Sequence, residues 1–430
     1  MFMDSPITRP TSSFVPALIK RNTALFALSQ SFNGAGMQLA YGLGPLMVLA
    51  LTGSPGLAGL SVALLGISRF LVAYPIGKIT DTYGRKPGIL LGQAMALVGT
   101  LVVGFSIDAQ SVFLLVSGML IFGMGMSAAQ QQRVAAADMF PPHLRAQALG
   151  YIALGSMLGM VLSPIMVNIA EALSQRTGQD PLGLPWLLLP VLIVPGMVLV
   201  KFVRPDPKEI GQHLELYYPD YTPPPARPIG HGQTFSARRL LRNLPIRLAV
   251  VCNCAAQGNM AIMMVLTSLV LHDHGHNLAS IAMSHAFHSA GMFAFTIPLG
   301  KLADRIGRRI VMLAGVATTL LAAGLVAFTA AYWSITLGTF LAGLGWAAAN
   351  VAATAMIADY AMTEERGRAI GVNDSFGGAI TVLMAVITGP LIEWYGLLGA
   401  GVLAILVALL PLQLLPSFLA ERRAARAERR

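Results

Sequence analysis

"GKITDTYGRKP" spans residues 77–87, and "GKLADRIGRRI" spans residues 300–310. Both fit G-x-x-x-D-x-x-G-R-[KR], so position 77 corresponds to position 300. A second pair follows in the same order, "ADMFPPHLRAQALG" at 137–150 and "ADYAMTEERGRAIG" at 358–371. Two motifs repeated in order at nearly one offset indicate an internal duplication.

Around these motifs the chain is strongly apolar. Of 430 residues, 55% are hydrophobic and only 11% are charged, too apolar for a soluble domain to cover its surface. Twelve runs are long enough to cross a bilayer as helices, at 22–50, 56–78, 87–107, 111–133, 145–170, 184–203, 245–271, 278–301, 309–330, 333–357, 366–391 and 394–417. The expected fold class is an all-α membrane protein with twelve transmembrane helices in two pseudo-symmetric six-helix halves. The halves should be 22–203 and 245–417, joined by a Pro- and charge-rich cytoplasmic linker at 204–244. A cytoplasmic N-terminus at 1–21 and a basic tail at 418–430 complete the expected organisation.

The net charge of +10 raises the question of nucleic acid. If both termini are cytoplasmic, 27 of the 29 Lys and Arg residues fall in inward-facing segments, leaving only Arg69 and Arg176. That is the positive-inside pattern, so the basic balance reports topology and no nucleic-acid partner is expected. The first twenty residues are polar and Pro-interrupted, so no cleavable leader is expected. Cys252 and Cys254 stand in C-x-C spacing inside one run, a poor arrangement for a disulfide. There is no Walker-type phosphate loop and no hydrolytic constellation, so neither an enzyme nor a resident cofactor is expected.

The repeated G-x-x-x-D-x-x-G-R-[KR] motif resembles the hallmark of the major facilitator superfamily. The resemblance implies the two-half fold and transport by alternating access. Residue by residue, it implies that Gly77 and Gly84 permit close packing and a tight turn. Asp81 and Arg85 would form a charge network with the cytoplasmic ends of helices 4 and 11, including Asp138. That network would latch the outward-facing state, and Gly300, Asp304, Gly307 and Arg308 would mirror it.

Fold does not give cargo. Asp374 is the one carboxylate placed within a run away from its ends, and it is a candidate for ion coupling, as is His288. Arg69 reads as a side chain that snorkels. "GSMLGMVLSPIMV" at 155–167 keeps two glycines of the drug-antiporter motif of helix 5, but Pro164 is displaced and the final glycine pair is missing. Five of the eight histidines fall between 272 and 288. His272, Asp273, His274, His276 and His285 would form an external metal mouth, with His288 deeper.

Met260 and Met264 share one helical face, as do His288 and Met292. At ~1.5 Å per residue, Met260 and His288 should lie near the midplane, with Met264 a turn above and Met292 a turn below. Cys252 would lie ~12 Å below Met260 and about 80° around the axis, a further contributor. Thioethers and imidazoles without carboxylates favour soft ions, above all Cu(I). M-x-x-x-M followed by H-x-x-x-M on the seventh and eighth helices resembles the CcoA-like copper importers, which supply copper for haem–copper oxidase assembly in the bacterial inner membrane. The resemblance implies Met260, Met264, His288 and Met292 as ligands, copper as transported substrate, and a cytoplasmic copper acceptor as partner. Against it stand uptake of an organic molecule such as riboflavin, with Asn253, Gln257, Asn259 and Asn373 as polar handles, drug efflux, and a non-transporting sensor. A sensor needs an output domain, and only a linker and a short tail are present.

Overall fold

A computed structural model describes residues 15–141, 144–219, 221, 236–361 and 366–414. The expected tail at 418–430 and most of the expected N-terminal segment lie outside the described residues. Among the described residues all regular structure is helical. The first half comprises α1 (Ala17–Thr52), α2 (Leu60–Tyr83), α3 (Arg85–Asp108), α4 (Val112–Ala129), α5 (Gln132–Asp138), α6 (Arg145–Thr177), α7 (Leu184–Leu188) and α8 (Pro190–Lys201). The linker carries α9 (Pro207–Gln212) and α10 (Ala237–Arg242). The second half comprises α11 (Leu244–Asp273), α12 (Leu278–Ala294), α13 (Thr296–Ile306), α14 (Arg308–Phe328), α15 (Tyr332–Tyr360) and α16 (Arg366–Leu409).

Among the described residues, ten segments are long and apolar enough to cross a membrane on their own. Two more crossings arise from breaks. The eighth crossing is α12 followed by α13, interrupted at Phe295. Pro298 lacks the N–H that would bond the Ala294 carbonyl, which ends the first piece there. The helix α16 is two antiparallel arms that reverse at Gly396, whose φ of 68° suits glycine. Contacts at Gly258 on α11 confirm the reversal, because a Cβ there would touch both Met384, before the turn, and Val407, after it.

Within each half, small residues bring helices together. A Cβ on Gly92 of α3 would lie 2.7 Å from the Ala129 nitrogen and 2.8 Å from the Gly125 carbonyl at the end of α4. A Cβ on Gly315 of α14 would meet the Ala349 nitrogen at 2.6 Å and the Gly345 carbonyl at 2.7 Å on α15. Gly92 and Gly315 stand at the same offset as the two motif copies that start at Gly77 and Gly300, so the duplication extends from motif to packing. Lipid tails give helices no hydrophobic reason to associate, so close backbone approach carries the packing.

The packed core crosses between the halves only on the side away from the linker, where α1, α2 and α6 meet α11, α12 and α16. On the linker side each half has its own cluster, one around Phe26, Phe140 and Ile210 and the other around Ala249, Met312 and Ala353. The molecule is therefore closed on the far side and parted on the linker side. Hydrogen bonds seal the far side. Glu171 of α6 accepts from the Leu278 and Ala279 amides at 2.8 and 3.4 Å, a carboxylate on the N-terminus of α12. Ser54 donates to Glu393 at 3.2 Å.

The two glycines of α6 find their use here. Gly159 packs on α1 so closely that a Cβ would collide with the Ser31 carbonyl and lie 3.1 Å from the Ala35 nitrogen. Gly159→Val should cost about 1–3 kcal/mol through backbone displacement. Gly324→Ala, where a Cβ meets nothing within 4 Å, should leave the protein unchanged. Thermal midpoints of the two variants in one detergent check this; equal midpoints would show that the α1–α6 contact tolerates a side chain.

Candidate functional site

The motif loop between α2 and α3 turns at Gly84, whose φ of 104° no L side chain adopts readily; Gly307, at φ 100°, does the same between α13 and α14. Arg85 then reaches back, its Nε 2.7 Å from Asp138 and its Nη1 2.9 Å from Asp81. The second half repeats the pattern: Arg308 Nε bonds Asp359 at 2.6 Å and its Nη2 lies 3.5 Å from Asp304. Asp359 occupies the place of Asp138 in the repeated "AD", the one signal in the sequence that points to it.

Three features differ from the expected latch. Among the described residues no hydrogen bond or ion pair joins the Arg85 network to α16; each network lies inside one half. The ion pairs are intact while the linker side is parted, so they need not break for that side to open. Gly77 packs against nothing within 4 Å, and the nearest atom to a Cβ on Gly300 is 3.8 Å away, so neither glycine serves close packing in this state.

The network grips the linker instead. Asp206 accepts from the Arg85 and Lys86 amides, each at 3.0 Å, and from the Lys208 amide at 2.9 Å, capping α3 and α9 together. Lys208 Nζ donates to the Asp81 carbonyl. The Tyr218 hydroxyl donates to the Met139 carbonyl at 3.2 Å, and burial pushes its phenol pKa well above the usual value. The segment expected as a cytoplasmic linker from 204 is docked as far as Tyr218, because "RPDPK" at 204–208 supplies a cap at the start of α3 and a cation at the end of α2.

Deeper in the second half lie the soft ligands. Ser268 Oγ of α11 is 2.9 Å from His285 Nε2 of α12, which fixes the register of the two antiparallel helices. Met264 is one turn below Ser268, ~6 Å, and His288 three residues below His285, ~4.5 Å. Met264 and His288 therefore share one level, and Met260 and Met292 share the next, ~5–6 Å nearer the linker side. The arrangement is two rungs, shifted by a turn from the staggered column that run boundaries suggest. Met264 and His288 are both 1% exposed. His288 Nδ1 lies 2.9 Å from the Thr339 carbonyl, an acceptor, so Nδ1 carries the proton. Its Nε2 has no hydrogen-bond partner among the described residues.

His285 does not belong to an external mouth. It is 1% exposed, its carbonyl accepts from Gln38 Nε2 of α1 at 2.7 Å, and its Nδ1 is without a partner among the described residues. The Ser268 hydroxyl is also 3.0 Å from the Gly42 carbonyl, so this cluster closes the far side above the upper rung. At the surface, His272 and Asp273 are 3.7 Å apart, His274 Nδ1 bonds the Val270 carbonyl at 2.7 Å, and the His276 ring lies 5.2 Å from the Tyr332 ring. These side chains are committed separately, and no group of three or more His, Cys, Asp or Glu residues among the described residues is placed to hold a metal.

Cys252 is fully buried in the linker-side core of its half, apart from the rungs, because it faces about 80° away from Met260. Cys252 and Cys254 are free thiols. Asp374 is exposed where the halves part, its Oδ1 accepting from Asn373 at 3.3 Å. Of the polar handles, Asn259 donates to the Ala404 carbonyl at 2.8 Å and ties α11 to the second arm of α16. Asn253 accepts from Asn350 at 3.0 Å, and its Nδ2 has no partner among the described residues.

Two six-helix halves that meet on one side of the membrane and part on the other, around polar groups at mid-depth, define a transporter of the alternating-access class. The family model of the Major Facilitator Superfamily matches residues 26–255 and 248–429, and the chain belongs to that superfamily. It is similar to the uncharacterised transporter YdeG of Bacillus subtilis strain 168, 28% identical across 91% of each chain. It is also similar to the riboflavin transporter RfnT of Brucella anthropi, 26% identical over 83% of this chain and 85% of that one. Among solved structures, the nucleoside transporter NupG superposes with a TM-score of 0.67 at 13% identity, covering 94% of this chain and 98% of NupG. The protein is a transporter and not an enzyme.

Asp206→Ala removes the acceptor of three backbone N–H groups, each helix start losing about 1 kcal/mol. Hydrogen exchange at residues 84–86 should accelerate about fivefold or more, while exchange at the mirrored turn, 307–309, stays unchanged. Equal exchange at both turns in wild type and variant would show that the linker does not hold this turn.

Proposed function

We propose that this chain imports copper across a bacterial inner membrane, with both termini and the linker in the cytoplasm. The observation that carries the reading is His288. Its imidazole is buried, oriented by the Thr339 carbonyl through Nδ1, and presents a bare Nε2 lone pair at the level of Met264. Metal-bound imidazoles are held this way, with the second nitrogen donating to a backbone carbonyl. One imidazole and the thioethers of Met260, Met264 and Met292 make a neutral, soft set suited to Cu(I). Neutral ligands also release the ion, which a thiolate site would retain. A cytoplasmic acceptor would then trap it, and Asp374, exposed where the halves part, is the candidate for ion coupling.

A second reading, uptake of a flavin-like organic solute, is favoured by the amide groups of Asn253, Gln257 and Asn350 on the parted side, with one orphaned amide nitrogen, and by the likeness to a riboflavin transporter. Drug efflux has the likeness to a multidrug resistance protein behind it, set against the incomplete helix-5 motif, in which Pro164 is displaced and the final glycine pair is missing.

Radioactive copper uptake in cells lacking their own importer separates these readings. Wild type should accumulate copper, whereas His288→Ala and Met264→Leu should fall to background while reaching the membrane in normal amounts. Cys252→Ser should retain wild-type uptake. If wild type takes up no copper but accumulates labelled riboflavin, and both variants do so equally, the rungs are packing and the organic reading replaces this one.

A further inference from the structure

A groove of about 710 Å³ opens between α1 and α6 on the lipid-facing surface of the first half, the volume of a small-ligand pocket. Gly155 forms its floor, because a Cβ there would collide with the Ala27 carbonyl, so the two backbones touch. Leu28, Leu154 and Leu158 stand exposed along its walls. Gly155 meets Ala27 and Gly159 meets Ser31, so the helices run parallel and both enter from the linker side.

The polar side chains of the groove gather at that end. Lys20 lies in the first turn of α1, seven residues before Ala27 and so ~10.5 Å toward the linker side. It is exposed, and among the described residues its ammonium makes no hydrogen bond or ion pair. Thr23 stands three residues deeper, 3% exposed, with a hydroxyl that has no hydrogen-bond partner among the described residues. The start of α1 has no side-chain cap, so its open amides add positive potential at the same end.

A second groove, between α1 and α8, lacks these groups. It measures about 530 Å³ and is lined by Leu28, Phe32, Val194, Pro195, Val198 and Leu199, with no polar side chain among them. An acyl chain gains no hydrophobic free energy by leaving the bilayer for either groove. Selective occupancy therefore needs head-group contacts, which the α1–α6 groove supplies and the α1–α8 groove does not. A cation beside a buried, unpaired hydroxyl suits a phosphate and the ester oxygen next to it.

We propose that the α1–α6 groove binds one anionic phospholipid of the linker-side leaflet. Lys20 takes the phosphate, the Thr23 hydroxyl donates to an ester oxygen, and an acyl chain lies along Ala24, Ala27 and Gly155. The lipid occupies the outside of the first half, away from the rungs, so the site does not depend on the cargo.

Native mass spectrometry tests this on the intact protein, purified with equal amounts of phosphatidylglycerol and phosphatidylcholine that carry the same acyl chains. Wild type should retain phosphatidylglycerol about fivefold over phosphatidylcholine. Lys20→Gln should retain the two lipids equally, and Lys20→Arg, which keeps the charge, should keep the preference. Lys78→Gln, which removes another exposed lysine of the linker side, should keep it too. Ala24→Trp fills the groove from an exposed position and should abolish the preference with Lys20 intact. Equal retention by wild type would overturn the proposal. So would a loss in Lys78→Gln as large as in Lys20→Gln, the mark of diffuse attraction to net charge. A preference that survives Ala24→Trp would mean a surface contact with phosphate alone, and would overturn the phospholipid as occupant.

Discussion

Everything in this fold depends on how closely two helical backbones approach where no hydrophobic force draws them together. In lipid, an exposed leucine is as well solvated as a buried one, so association comes from dispersion contacts at short range and from hydrogen bonds. The chain meets that constraint with small residues at matched places. Gly92 against the end of α4 and Gly315 against α15 hold the interior of each half. Gly59 and Gly66 bring α2 onto α16 and join one half to the other. The first kind of contact is buried within a rigid unit, and the second sits on a seam that must open. Beside its shared apolar core, the seam carries hydrogen bonds such as those of Glu171, Gln38 and Ser268, which water or cargo replaces at small cost.

Charge is arranged by the same division. The Arg85 and Arg308 networks lie at the linker-side surface, each within its own half, and they stiffen the turns that carry α3 and α14. Asp206 adds the linker to one of them and not to the other, so a duplicated motif has diverged in what it holds. An ion pair confined to one half does not report which state the transporter occupies. Surfaces that cross the gap do, and Arg133 over Phe293 is one of them.

The repeat, the twelve crossings and the reversal near Gly396 are legible in the sequence, because each is written in local features: a motif, an apolar length, a short gap between runs. The break at Phe295 is also legible in principle, through Pro298. Depth and pairing are not. Helical spacing places Met260 with Met264 and His288 with Met292 on common faces, but the vertical register of α11 against α12 comes from one bond, Ser268 to His285. Arg133 of α5 lies over Phe293 of α12, and nothing local in the sequence distinguishes an arginine that lines a gap from one that anchors a loop. Chain proximity groups His285 with the surface histidines, whereas helical geometry turns it inward, one turn from His288.

That inward turn bears on why the far side closes at all. His285 Nδ1 and His288 Nε2 are both buried without partners among the described residues, and each unsatisfied polar atom costs on the order of 1–3 kcal/mol. When the far side is open, water reaches such atoms and the cost vanishes. Closure around an empty site restores it, whereas closure around a ligand of the His288 lone pair does not. On the proposed reading, cargo therefore has a differential affinity for the closed arrangement, which is the thermodynamic requirement for a ligand to drive a conformational change. On that reading occupancy and closure are coupled through the His288 Nε2, which Thr339 keeps aimed where an ion would sit, whereas His285 Nδ1 at the seam carries the same cost with or without cargo.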